Sequence, residues 1–424
     1  MNLTAPRLRL LATSMTLDAL GSGLFGPFGL LYAHEVAGLP LAVAGAAIGV
    51  AGTVALTAGP LAGALVDRLG PARVVILANA VAVLGGLLLL TARDLWLFTL
   101  ASVLGVASAR MFWSSFAPLV AAVTADRAER WLGYLRSARL TGVMLGGFAA
   151  SAVLTLDRHH GLIIMLAVDT ATYALAGVLT AVATAPLRHT APLDPTAPLD
   201  PTAPLDPAEP LDPAAPPPAP ASYRAVLRDR ALLRLTVLNT ACTLLVSAPI
   251  IAMPVYLIDS VRGPAWLPGL AAGLLTGLVA LAMTRTPHLT RGTGRLRVLA
   301  LACLLWAAGC LVLIAAGLSP IPAALTATVV LALAQAFYEP TADAVPLALA
   351  PPHLTGRYTA VYQLAWGVSS ALAPLLVGTL LSIDPTALWL TLAATAAVTA
   401  AAYRLSGTHL TQRVGHSGTA LTFT

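Results

Sequence analysis

The sequence predicts an all-α polytopic membrane protein built as two six-helix bundles. Three observations carry that reading. Hydrophobic residues fill 58% of the 424 positions and mean hydropathy is +0.83, more apolar surface than a water-soluble core absorbs. Charged residues make up only 10%, and nearly all fall between long apolar runs. Those runs recur at roughly the 20-residue length that a helix needs to cross a bilayer.

On that rule helices lie near 10 to 33, 40 to 64, 74 to 92, 95 to 118, 137 to 157 and 162 to 185. The first follows Arg7 and Arg9. It is read as a retained helix, because its apolar run continues to about Ala33 without a small-residue cleavage site. The second and third are folded back on each other at GALVDRLGPAR, Gly63 to Arg73: Gly70 tolerates positive φ and Pro71 cannot continue a hydrogen-bond ladder. Asp67, Arg68 and Arg73 must be solvated there, so the turn marks a membrane surface. Trp96 opens the fourth helix, and Arg130-Trp131 precedes the fifth. Six further helices fall near 231 to 258, 265 to 284, 298 to 317, 321 to 347, 358 to 382 and 386 to 404, with Trp266 and Trp389 opening the eighth and twelfth at the outer interface that indole prefers.

Between the halves, 186 to 230 repeats APLDPT and ends in a proline run. Such a stretch favours extended polyproline II and builds no packed core, so it is a solvated linker, its acids at Asp194, Asp200, Asp206, Glu209 and Asp212 included. The expected organisation is an N-terminal bundle over 1–185, the linker over 186–230, a C-terminal bundle over 231–404 and a tail over 405–424. Every basic residue is arginine. With the N-terminus inside, all but Arg93, Arg110, Arg158 and Arg262 lie in cytoplasmic segments, Arg136 and Arg139 among them, which puts both termini and the linker in the cytoplasm. That placement, rather than nucleic-acid binding, accounts for the net charge of +6. Cys242, Cys303 and Cys310 sit in apolar spans as small buried hydrophobes, with no disulfide framework expected.

At Gly63, Asp67, Arg68, Gly70 and Arg73 the sequence resembles the signature between the second and third helices of the major facilitator superfamily; Pro71-Ala72 departs from it. The second half keeps an echo in RGTGRLR, Arg291 to Arg297, with Gly294 retained and Arg291 in place of the acid. The resemblance implies two parallel six-helix repeats with a substrate site near the midplane where they meet. It implies that Asp67 interacts with the start of the eleventh helix near Tyr358 and holds the outward-open state. It further implies that helices 1, 4, 7 and 10 line the cavity, and the antiporter motif of the fifth helix is echoed in Gly142 and Gly146-Gly147, where close packing is the alternative.

Ionisable groups inside a span are costly and mark function. Asp18 lies in the first helix, Arg110 in the fourth, and Glu339 and Asp343 in the tenth. Gln335, Glu339 and Asp343 share one face at i, i+4, i+8. Two carboxylates a turn apart in low dielectric repel, and binding a proton relieves them, which makes Asp18, Glu339 and Asp343 the proton-coupling candidates. Arg110, Trp113, Asn239, Gln335, Tyr338, Gln363 and Trp366 are the substrate-cavity candidates, with aromatics suited to an amphipathic ligand. Alternatives stand beside these roles: Arg110 pairing with Glu339 or Asp343 as an inner gate, and Asp18 satisfied locally by Ser14 or Ser22. Asp169 in the sixth helix is read as structural.

No nucleophile constellation, Walker loop or histidine-rich motif is present, so the expected protein is not an enzyme and uses no cofactor or metal. It is expected to be a monomeric secondary transporter of the bacterial cytoplasmic membrane, with a small-molecule substrate, protons and the lipid bilayer as partners, coupling export of amphipathic compounds to proton entry. The rivals are uptake by symport or facilitated diffusion, and a non-transporting receptor or scaffold that works through its linker.

Overall fold

Prolines and glycines decide where the spans are continuous and where they are jointed. The computed structural model describes residues 5–124, 128–185, 226–351 and 354–406, and regular structure among them is helical. The first span is α1 (Ala5–Phe25) and α2 (Gly29–Glu35), joined by a 3-10 turn at Gly26–Phe28 that contains Pro27. The second is also in two pieces, α3 (Leu41–Ala55) and α4 (Ala58–Leu69). Gly70 then adopts φ +81° and Pro71 occupies the first turn of α5 (Pro71–Thr91), as a sharp reversal at that turn requires. The rest of the half is α6 (Leu95–Thr124), α7 (Ala128–Leu156) and α8 (Arg158–Thr184). The amide of His160 donates to the cap residue of α8, Asp157, at 2.8 Å.

The second half comprises α9 (Arg230–Val255), α10 (Leu267–Met283), the single turn α11 (Thr286–Leu289), α12 (Arg295–Ile314), α13 (Pro320–Leu349), α14 (Thr355–Ile383) and α15 (Pro385–Arg404). Nine of the described helices are long and apolar enough to cross a membrane, and Leu41–Ala55 and Leu267–Met283 are shorter apolar helices. Of the twelve expected spans, the first carries Arg7, Arg9 and Asp18, and the second is interrupted at Leu56-Thr57. The linker repeat and the tail after Ser406 lie outside the described residues.

The packing repeats between halves. In the first, α1 packs on α7 and α8, α5 on α6 and α8, and α3 on α6; in the second, α9 packs on α14 and α15, α12 on α13 and α15, and α10 on α13. Each pair maps onto its counterpart six spans later, the architecture of two parallel six-helix bundles. The halves join along two equivalent seams, α3 against α14 and α7 against α10. Glycine makes both seams close: a Cβ on Gly49 would lie 2.7 Å from the Ala371 carbonyl oxygen, and one on Gly52 2.6 Å from that of Ser370. Across the other seam, a Cβ on Gly147 would lie 2.5 Å from the Gly273 amide nitrogen, and Gly142 meets α1 at Thr16. The fifth-helix glycines thus serve close packing.

Contact between the halves is concentrated at one end. There α2 packs on α9, and the Ser151 hydroxyl donates to the Trp266 carbonyl at 2.7 Å. Toward the other end, Leu56 still touches Gly367, but beyond it α4 turns to α5 and α6 of its own half, and Asp67, Arg68, Arg73 and Asp343 are exposed. The molecule is closed at the α2 end and open at the α4 end. Two sequence expectations change here. Trp389 is not an interfacial anchor: it is fully buried, its ring 5.1 Å from that of Tyr256. The fifth span begins at Ala128 rather than near 137, so Arg136 as well as Arg139 lies inside α7.

Candidate functional site

Asp18 is the centre of a polar cluster inside the first bundle. Facing it across the α1–α7 contact is Arg139, whose guanidinium forms an ion pair with the carboxylate while both side chains are largely buried. The same guanidinium lies 5.1 Å from the ring centre of Phe112 and 5.0 Å from that of Trp113, a cation–π arrangement on α6. The local bonding expected of Asp18 goes elsewhere. The Ser14 hydroxyl donates to the Ala176 carbonyl at 2.8 Å, and that of Ser22 to the backbone carbonyl of Asp18 at 2.9 Å. Ser22 also meets the Tyr173 hydroxyl at 3.2 Å. A small cavity of about 60 Å³ is bounded by Asp18, Asn79, Trp113, Arg139 and Tyr173.

The face opposite belongs to α13. Gln335 donates to Glu339 at 2.6 Å, which orients that carboxylate, and Asp343 one turn on is exposed toward the open end. Neither acid is within ion-pair distance of a cation among the described residues, but both feel the charge of Arg136, which reaches across from α7. Arg136 and Arg139 are three residues apart and so share one face of α7. Hence one helix presents two guanidinium groups, the first to α13 and the second to α1.

Arg110 does not pair with the α13 acids. It crosses the seam and donates to the Ser370 hydroxyl at 2.8 Å and the Trp366 carbonyl at 3.2 Å. Its guanidinium thereby ties α6 to α14. Trp113 is 50% exposed and Gln363 is exposed, whereas Trp366 is half-buried. Asn239 and Tyr338 leave the list of lining residues: both are buried, and the Tyr338 hydroxyl donates to Asn239 Oδ1 at 2.7 Å. Each satisfies the other within the second bundle, behind the cavity wall.

Asp67 does not reach Tyr358. The Tyr358 hydroxyl donates at 3.0 Å to Asp229, a carboxylate that also accepts from the Ala231 amide at 2.9 Å and so caps α9. With α4 turned away from α14, the exposed Asp67 is left in solvent.

A second, larger cavity of about 260 Å³ lies between α1, α7, α9 and α10, walled by apolar groups such as Pro27, Val143, Met253, Pro254 and Leu275. Ser22 borders both cavities. Past it, at the closed end, Arg158 donates to Glu35 at 2.7 Å and to Asp259 at 3.1 Å, spanning the two halves.

Among solved structures, a mutant of the nucleoside transporter NupG aligns over 94% of this chain and 98% of its own, with TM-score 0.75 and 13% identity. The peptide transporter POT in complex with sulfate aligns over 97% and 96%, with TM-score 0.73 and 15% identity. At such identities the likeness is one of fold. No curated protein matches the sequence. The family model described as Major Facilitator Superfamily matches residues 11–289 and 287–419. With two six-helix bundles, paired seams and a cavity closed at one end, the chain belongs to the Major Facilitator Superfamily and is a membrane transporter rather than an enzyme.

Proposed function

We propose that this protein couples export of small amphipathic compounds, organic cations among them, to the entry of protons, with both termini on the cytoplasmic side of a bacterial inner membrane. The observation that carries the reading is the α13 face: Glu339 and Asp343 stand one turn apart at the open end, opposed by Arg136 from the other bundle. A cation entering that end finds two carboxylates and the exposed indole of Trp113, suited to charge and apolar surface together. Protons compete for the same carboxylates, so loading one ligand releases the other. Rocking about the two glycine seams then exposes the site alternately. As α4 swings toward α14, Asp67 comes to the start of that helix, where the dipole favours an anion.

Uptake by symport is the second reading. Its support is that the structures of similar fold are named as nucleoside and peptide transporters, and carboxylates of this kind serve either direction.

The test uses inside-out vesicles with an acidified lumen, to which ethidium or tetraphenylphosphonium is added. Cation-dependent loss of lumenal protons, abolished in Glu339→Gln, is the expected result. Cation movement down its own gradient without a pH change would replace coupling by facilitated diffusion. Full activity after deletion of 191 to 218 is expected of a carrier and not of a linker-operated receptor.

A further inference from the structure

The first bundle contains a carboxyl group that the proposed coupling route does not use. Asp169 lies on α8, 6% exposed, and its Oδ1 is buried without a hydrogen-bond partner. The groups around it are already committed. Thr172 donates its hydroxyl to the Asp169 backbone carbonyl at 2.7 Å, and Thr170 to the Leu166 carbonyl at 2.8 Å. Gly21 on α1 lies so close that a Cβ there would stand 2.6 Å from Asp169 Oδ1, so the absent side chain is what gives the carboxyl its place.

The charges facing Asp169 leave it uncompensated. From α1 it meets Asp18, another carboxylate, whose charge acts on it. Arg139 on α7 is held by Asp18. From α5 comes Asn79, which donates to the Val75 carbonyl at 3.0 Å. Tyr173, on its own helix, meets Ser22. Glu35 on α2 is engaged by Arg158 at the closed end. Of the two buried carboxylates, Asp18 has the guanidinium and Asp169 has none among the described residues. An ionised Asp169 would be a buried anion beside a second anion, with no donor for Oδ1 among the described residues, an arrangement that carries the full cost of desolvation. Binding a proton removes that cost.

We propose that Asp169 is a proton-binding site of the first bundle, occupied in this closed-end conformation. It is separate from the acids of α13, which lie in the other half. Its route outward runs along Tyr173 and Ser22, and Ser22 borders the apolar cavity between the halves. When Arg139 leaves Asp18, the proton has a second base within the cluster, Asp18 itself. Occupancy of this site and the Asp18–Arg139 pair are therefore linked, whichever direction the substrate moves.

Infrared difference spectroscopy on the full chain in lipid nanodiscs tests this without any transport measurement, so the outcome is separate from that of the vesicle assay. At neutral pH the wild type minus Asp169→Asn difference should contain one carbonyl stretching band of a protonated carboxyl group, and the band should move on exchange into D2O. The same band should remain in Glu339→Gln. Absence of any carboxyl band from the Asp169→Asn difference overturns the proposal. Should Asp169→Asn not fold, wild type is compared with Asp169→Glu, where the band should shift in frequency; an unshifted carboxyl region overturns the proposal as well.

Discussion

Arg139 holds Asp18 in place within the first bundle. With a side chain 17% exposed, against 7% for its partner Asp18, the pair is buried enough that losing one member strands a charge. Arg139→Ala is expected to cost about 3–5 kcal/mol, read as a lowered unfolding temperature in detergent, with part of the loss recovered in Arg139→Ala combined with Asp18→Asn. Equal unfolding temperatures for wild type and Arg139→Ala would show the pair to be solvated. The sequence made Asp18 visible, because a carboxylate inside an apolar run has to be explained. Its partner was hidden, since Arg139 is 121 positions away and follows a run of charges that resembles a loop. The legible clue was the three-residue spacing of Arg136 and Arg139 at the start of an apolar run. Asp169 reads as structural from its place in the sixth helix, but the place of a helix takes no account of where one side chain points.

At the scale of elements, the order and number of spans were readable because bilayer length and arginine placement are strong constraints. The joints were less so. The interruption of the second span at Leu56-Thr57 has its mark four residues on, where Pro60 has no amide hydrogen to donate to the Leu56 carbonyl, a signal that span length alone passes over; the start of α7 falls earlier than expected because arginines on a helix face look like arginines in a turn. The seam between α3 and α14 yields a direct check. A Cβ on Gly49 would stand 2.7 Å from the Ala371 carbonyl oxygen, so Gly49→Ala has to push the two backbones apart. It is expected to cost about 1–3 kcal/mol, read as a lowered unfolding temperature in detergent. An unchanged unfolding temperature would mean that the seam is looser than described.

For the whole molecule, the decisive contact is the clasp at the closed end. Arg158 and Asp259 belong to different halves, and their side chains are 42% and 27% exposed, so the pair contributes about 0–1 kcal/mol. That is small against folding but enough to move an equilibrium between two conformations by up to roughly fivefold. Asp259→Asn should raise the share of molecules open at the α2 end. Spin labels at Leu156 and Leu318, which are 88% and 91% exposed on opposite halves, would report it as a larger population at long distance. An unchanged distance distribution would assign closure to the seams alone.

Those seams also bear on how fast the protein can work. Where Gly49 and Gly52 lie against the carbonyls of α14, one backbone slides on another with no interlocking teeth and no rotamers to reset. Friction at such a bearing is low, so the barrier to each stroke is set elsewhere, by breaking the clasp and rearranging lipid around the moving bundles. A methyl group added at either glycine would turn the smooth surface into a ratchet, and turnover would slow even though every group that touches cargo or protons stayed in place.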